Sequence, residues 1–333
     1  MHPSRKLLAH GELLRRLADG RDFRPVHLRL GIGATGDAIA LIREFASHGG
    51  RAVTFGGGPV DGDSACTAHP GYPAVCDAAH EEGLRIGLDT DGSRLDHPAV
   101  AECVASTHTR VRIRLGGPPG ACSPSLPEPG RLRQSAIDPD FRIGFHCPVT
   151  AGDHRGIVPA ARAARDAGAH YIRFEPEFPG TLGLRSIAAL QSLMHAVTEA
   201  LSEAAALADG DFAVSFPAEP EQEEAGEDGE AGGFAHCHYS RFVTTVDPDG
   251  HLYPCPQVHG HAAYRLGNVV EHGYAAVLDG EPRAAWQAAD PLRTDVCGSC
   301  AYRPQNELLE RVRDGRVPPA ATDRAAVLHA EFV

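Results

Sequence analysis

Four cysteines carry the clearest chemistry in this 333-residue chain: Cys237, Cys255, Cys297 and Cys300. They read C-x17-C, then forty-one residues, then C-x2-C. Two pairs of soft, deprotonated sulfurs are the donor set of a tetrahedral zinc or of a cubane iron–sulfur cluster. The turn Cys297–Gly298–Ser299–Cys300 can aim two sulfurs at one centre. The first pair brackets an expected hairpin, with strands at 243–246 and 251–253 around Asp247–Pro248–Asp249–Gly250. Histidines crowd the same stretch (His236, His238, His251, His259 and His261), and any of them could complete a zinc site.

A second set of charged residues lies on expected strands. Strand patterns fall at 26–30, 52–55, 85–89, 111–115, 142–147 and 171–175, with helix patterns at 37–47, 73–82, 98–106, 156–166 and 186–207. This alternation predicts an α/β fold built on a parallel sheet, open or curled toward a barrel. Residues 118–139, rich in proline and glycine, read as a loop with at most one helical turn. The strands alternate apolar with charged residues, whereas a helix-covered parallel strand is normally apolar on both faces. One polar face predicts a lumen lined by Arg29, Asp89, Arg112, Arg114, His146, Arg173 and Glu175. Its excess of arginine suits an anionic small molecule, a carboxylate or a phosphate. An internal salt-bridge network that only holds the barrel together is the alternative. His146 and Glu175 are the candidate acid–base pair.

Composition narrows the field. The net charge of −13 argues against nucleic acid as a partner, since phosphate contacts need a basic surface. Residues 219–230 hold seven acids and no base, so the remainder carries −13 − (−7) = −6. That stretch reads as a solvated linker. No apolar run approaches the ~20 residues that cross a bilayer, and the first twenty residues read as an amphipathic helix rather than a secretion signal. Nine cysteines in such a chain fit reduced thiols, metal ligation and a cytoplasmic location. Gly31-x-Gly33-x-x-Gly36 is formally a dinucleotide fingerprint, but the second strand ends without the acidic residue that would hold a ribose.

Three stretches together resemble the radical S-adenosylmethionine (AdoMet) superfamily. Val53–Thr54–Phe55–Gly56–Gly57–Gly58–Pro59 is similar to its Gly-Gly-Glu-Pro strand end, whose backbone receives the AdoMet amino group. Residues 83–92, ending Thr90–Asp91–Gly92, resemble the next strand. The cysteine module resembles the twitch form of the SPASM auxiliary-cluster domain, with Tyr253–Pro254–Cys255–Pro256, Leu266–Gly267–Asn268–Val269 and Trp286 in similar places.

The resemblance implies a partial (β/α)6 TIM-like barrel over 24–210, preceded by an N-terminal helix over 1–23. An acidic linker at 211–233, a β-hairpin-plus-helix module at 234–303 with one [4Fe–4S] cluster on the four cysteines, and a helical tail at 304–333 follow. It also implies AdoMet as a barrel ligand, with Gly56, Gly57, Gly58, Pro59, Arg112, Arg114 and Arg173 as its site. Zinc is the alternative occupant of the cysteine site.

The departure from the family is equally specific. The C-x3-C-x2-C motif that follows the first strand and leaves one iron open for AdoMet occurs nowhere in the sequence; a glycine turn, 31–36, stands in its place. Gly58 replaces the signature glutamate. Cys66, Cys76, Cys103, Cys122 and Cys147 read as small buried hydrophobes rather than ligands. The expectation is a pseudoenzyme: a partner or binding subunit for a true radical AdoMet enzyme, a carrier or a precursor peptide. An active enzyme that binds AdoMet or another anion, and a zinc-stabilised interaction protein, are the competing expectations.

Overall fold

The computed structural model describes residues 3–56, 65–115, 129–149, 154–176, 187–216, 234–289, 297, 300, 302–316 and 327–333. Six β-α steps build the barrel wall. The strands are β1 (His27–Leu30), β2 (Ala52–Phe55), β3 (Arg85–Thr90), β4 (Arg110–Arg114), β5 (Arg142–Val149) and β6 (Tyr171–Pro176). Helices α3 (Thr35–Ser47), α5 (Tyr72–Glu81), α6 (Pro98–Thr107), α8 (His154–Asp166) and α9 (Ile187–Ala205) cover the outside, with the short α4 (Ala65–Ala68) ahead of α5. All neighbouring pairs from β1 to β6 are parallel. The outward residues Leu28, Val53, Ile86, Val111, Ile143 and Ile172 form the main core with Phe45, Val75, Val104 and Ile157 of the helices. Burying such side chains contributes about 1.5–3 kcal/mol each, which is why the alternation fixes the register. The expected α/β partial barrel is the fold observed.

The expected loop at 118–139 contains α7 (Pro129–Ser135), a seven-residue helix, so one helical turn is an underestimate. Proline heads it, where its missing N–H costs nothing, and Leu132 anchors it in the core. The linker expected from residue 211 begins later: Ala213–Ser215 is a seventh strand, β7, parallel to β6. The acidic stretch itself lies outside the described residues.

The cysteine module is joined to the barrel by its sheet. The hairpin of β8 (Val243–Val246) and β9 (His251–Tyr253) forms at the expected place, and β8 pairs in parallel with β1. Val246 lies opposite Leu30, and Gly31 N donates to Val246 O at 2.9 Å. Gly250, at φ +84°, makes the turn; a Cβ there would meet Val270 at 2.7 Å and Asn268 Oδ1 at 2.8 Å. The short β10 (Gly267–Asn268) completes a ten-stranded order, β10-β9-β8-β1-β2-β3-β4-β5-β6-β7. Asn268 caps α10 (Val269–His272), its side chain accepting from Val270 N and Glu271 N. Then come α11 (Tyr274–Leu278), α12 (Glu281–Ala288) and α13 (Arg303–Arg313).

The N-terminal segment is two helices, α1 (Pro3–Leu8) and α2 (Gly11–Ala18), rather than one. Leu13, Leu14 and Leu17 of α2 share a second core with Phe242 and Tyr253 of the module and Leu309 and Val312 of α13. Among the described residues of the expected helical tail, α13 is helical, and residues 327–333 turn back into the barrel.

Candidate metal centre and barrel lumen

Cys237 lies just before a 3-10 turn at Tyr239–Arg241, Cys255 one proline beyond the end of β9, and Cys297 and Cys300 ahead of α13. The first three are buried, Cys300 is half-buried, and none is in a disulfide. Burial, then the neighbouring Cys237 and Cys300, push the Cys255 thiol well up. Burial, then Cys237 among its neighbours, pushes Cys300 up to about 12. Beyond burial, the neighbouring thiols hold one another up, and a metal centre that displaced their protons would relieve this. The donor set therefore fits an iron–sulfur cluster or a zinc ion.

A ring of polar contacts steadies the cysteine loops. Tyr302 N donates to Cys300 Sγ at 3.3 Å, and Cys300 N to Cys297 O at 3.1 Å. Ser240 Oγ donates to Cys237 O at 2.7 Å and receives Trp286 Nε1 at 3.1 Å, which places the tryptophan singled out in the sequence. Tyr239 and Tyr302 stack at 4.2 Å and 16°. The histidines are engaged elsewhere: His238 Nε2 with Glu310 Oε2 at 3.0 Å, His236 with Arg313, His251 with Asp247. His259 packs edge-on against Tyr253, and His261 against Tyr264.

The seven lumen residues separate into two clusters. Arg29 Nη2 lies 2.7 Å from Asp89 Oδ2, and Arg112 grips the same carboxylate through Nε, at 3.0 Å, and Nη2. Burial alone would raise the Asp89 pKa, but Arg112, Arg29 and Arg110 overcome it and hold the carboxyl far below its usual range. In the second cluster His146 Nε2 and Glu175 Oε2 are 2.6 Å apart, with Arg173 Nε 3.7 Å from the same oxygen. Burial again opposes ionisation; the His146 hydrogen bond and charge, then Arg173, bring Glu175 down to about 2. Arg114 stands opposite His146, and His146 opposite Arg173, in one row across three strands. Arg114 is exposed. Gly56 is described, its carbonyl accepting from Arg29 Nη2 at 3.5 Å, whereas Gly57, Gly58 and Pro59 lie outside the described residues.

Sequence reasoning missed the lumen floor. Lys6 of α1 donates to Phe332 O at 3.0 Å, and His27 reaches Val333 O at 3.0 Å and Thr54 Oγ1 at 2.8 Å. The Arg110 guanidinium stacks 4.2 Å over the Phe332 ring. Arg110 was within reach, because the Arg112–Arg114 alternation extends one step back; nothing local marks Phe332. Of the remaining cysteines, Cys66, Cys76, Cys103 and Cys147 are buried as expected, and Cys122 lies outside the described residues. Cys76 and Cys103 form a buried group with His108, which is bonded to Tyr72 OH at 2.7 Å and Thr107 Oγ1 at 3.0 Å.

Comparison with known proteins places this geometry. Residues 237–301 match the SPASM family, described as an iron–sulfur cluster-binding domain. No curated protein matches the sequence. Among solved structures, Streptococcus suis SuiB bound to S-adenosylmethionine superposes with a TM-score of 0.58 at 12% identity, over 89% of this chain and 76% of SuiB. A second SuiB structure gives 0.56 and 12%, covering 78% of this chain; there the chain spans 66% of SuiB, just under two-thirds. Native anSMEcpe with bound AdoMet and Cp18Cys peptide gives 0.52 at 12% identity, over 85% of this chain and 88% of that one. At these identities the likeness is one of fold. The chain is thus radical-AdoMet-like in fold and carries a SPASM iron–sulfur cluster-binding domain over residues 237–301.

Proposed function

We propose that this protein holds one [4Fe–4S] cluster on Cys237, Cys255, Cys297 and Cys300, does not cleave AdoMet itself, and acts as a partner or binding subunit in a biosynthetic or peptide-modification pathway. The observation that carries this reading is the link between β1 and α3. It has four residues, 31–34, none of them cysteine, and is shorter than the motif that would hold a catalytic cluster. It is also wedged under the module: a Cβ on Gly33 would stand 2.0 Å from the Pro248 carbonyl oxygen of the β8–β9 turn. Four thiols are thus gathered in the module, while the link itself carries none; Cys66 beside it is turned onto the Leu30 carbonyl at 3.7 Å.

The sequence spacing favours iron over zinc at the cysteines: the C-x17-C first pair with the Gly250-x4-Cys255 step is unlike the C-x2-4-C pair that opens a zinc finger. When bound, such a cluster would supply a one-electron store with every iron ligated by protein. A peptide partner is consistent with SuiB having been solved with precursor peptide SuiA and anSMEcpe with Cp18Cys peptide.

A second reading has its own observation. The Arg114–His146–Arg173 row crosses three strands, from the last residue of β4 to mid-strand positions of β5 and β6, with strands about 4.8 Å apart. The lumen is electropositive enough that burial and then Arg110 and Arg112 push the Lys6 ammonium well below its ordinary value. That potential suits AdoMet or another carboxylate- or phosphate-bearing ligand.

Iron, acid-labile sulfide and zinc per chain after anaerobic reconstitution test both parts, together with an assay for carbon–sulfur cleavage of AdoMet under dithionite. The expected result is about four irons with matching sulfide and no cleavage. About eight irons, or cleavage, overturns the non-catalytic reading. One zinc and no iron overturns the cluster.

A further inference from the structure

Asn306 stands in the first turn of α13 with none of its surface exposed. Asparagine is a mediocre helix former, and a buried amide is costly unless its hydrogen bonds are made. Here they are made in a fixed order. Oδ1 accepts from Tyr239 N at 2.8 Å, which sets which end of the amide faces which way. Nδ2 is then turned toward Cys237 Sγ and Cys300 Sγ, at 3.9 Å each, and toward Tyr302 O at 3.3 Å. One amide group thus bridges two sulfurs that are 300 − 237 = 63 residues apart in sequence. Its neighbours on both sides, Tyr239 and Tyr302, are the stacked pair beside the cysteine loops.

We infer that Asn306 is a positioning residue for the cysteine centre, its side-chain N–H groups holding Cys237 and Cys300 and setting the reduction potential of the cluster they ligate. The inference rests on the cluster reading above. A hydrogen bond to a ligating sulfur withdraws electron density from it and favours the more electron-rich, reduced state. Cys300 receives a second donor, Tyr302 N, and backbone N–H groups of Gln257 and Val258 reach Cys255. Asn306 differs from these in being a side chain that substitution can remove.

The test compares the full-length wild type with Asn306→Asp and Asn306→Leu after anaerobic reconstitution. Iron and sulfide are measured alongside the midpoint potential from an EPR-monitored titration. Asp keeps the acceptor for Tyr239 N but loses the donor and adds negative charge; Leu loses both without charge. The expected result is full iron content with a lowered potential in both, the shift larger in Asp. Full content with the wild-type potential in both variants overturns the assignment. If Asp alone fails to hold iron, Leu decides, because it adds no charge. If both lose iron while far-UV circular dichroism stays native, the amide is needed to hold the sulfurs, and the positioning role stands. A wild type that takes up no iron overturns the cluster reading, and this assignment with it.

Discussion

In the barrel lumen, each carboxylate faces a cation of the same chain: Asp89 sits between Arg29 and Arg112, and Glu175 meets His146 and Arg173. In the module, the sulfurs of Cys237, Cys255, Cys297 and Cys300 face one another, and the nearby histidines are engaged with Glu310, Arg313 and Asp247 instead. Both regions are polar and largely buried, but the lumen's two carboxylates already meet cations of the same chain, with arginine left in excess, while the cysteines are a donor set for a group from outside. The difference separates what should survive loss of metal from what should not. The two regions nonetheless share one sheet, through β8 on β1.

The largest expected effect comes from removing one sulfur. Cys255→Ser should abolish iron uptake and destabilise the module by more than about 4 kcal/mol, the range of lost structural metals. Iron analysis and thermal unfolding of the anaerobic protein check this. Wild-type iron content in Cys255→Ser would place the centre elsewhere and erase the contrast.

Asp89→Asn tests the other side. It leaves Arg29 and Arg112 in the lumen without their shared anion, at a cost of about 3–5 kcal/mol, as for other broken buried pairs. Iron content should not change. Urea denaturation reads the loss, and a cost under about 1 kcal/mol would mean that water screens the network as it does a surface pair.

That network shows where sequence stops being informative. Five of the six barrel strands were legible because they alternate apolar and charged residues with period two, and β2, Ala52–Phe55, because it is a short apolar run before a glycine turn. The hairpin was legible because Asp247–Pro248–Asp249–Gly250 carries its own turn chemistry. Which arginine would meet Asp89 was not, since its partners lie 60 and 23 residues away and only strand order brings them together. Strand β7 was missed because three residues beside an acidic run are too few for a period. Helix α7 was missed because Pro129 and Gly130 read as breakers, although proline there simply heads the helix. The cysteine spacing pointed to a metal centre, but Asn306 looked like any helical polar residue until the fold placed it between two sulfurs.

Phe332→Ala probes the lumen floor, which the sequence did not mark at all. The ring is 2% exposed, covered by Arg110 and His27, and should cost about 3 kcal/mol on truncation. Chemical denaturation measures it, with iron content again unchanged. Iron lost together with stability would mean that floor and module fold as one unit, and the two regions would no longer be separable.

The smallest effect depends on pH. Glu175 has a folded-state pKa of about 2, against about 4.3 in an unfolded chain. Since the folded value is depressed, the ionised carboxylate contributes stability above the unfolded pKa, and this contribution fades as pH falls from about 4.3 toward 2. Glu175→Gln lacks it at every pH. The stability difference between wild type and variant should therefore shrink as pH falls below about 4.3, which parallel urea curves at each pH would measure. Asp89, held lower still by two guanidiniums, should keep its contribution at pH values where that of Glu175 is already going. A Glu175→Gln difference that persists undiminished to pH 3 would mean that the carboxylate's value is packing rather than charge. The His146–Glu175 pair would then belong with the fold and not with a lumen kept charged for a ligand.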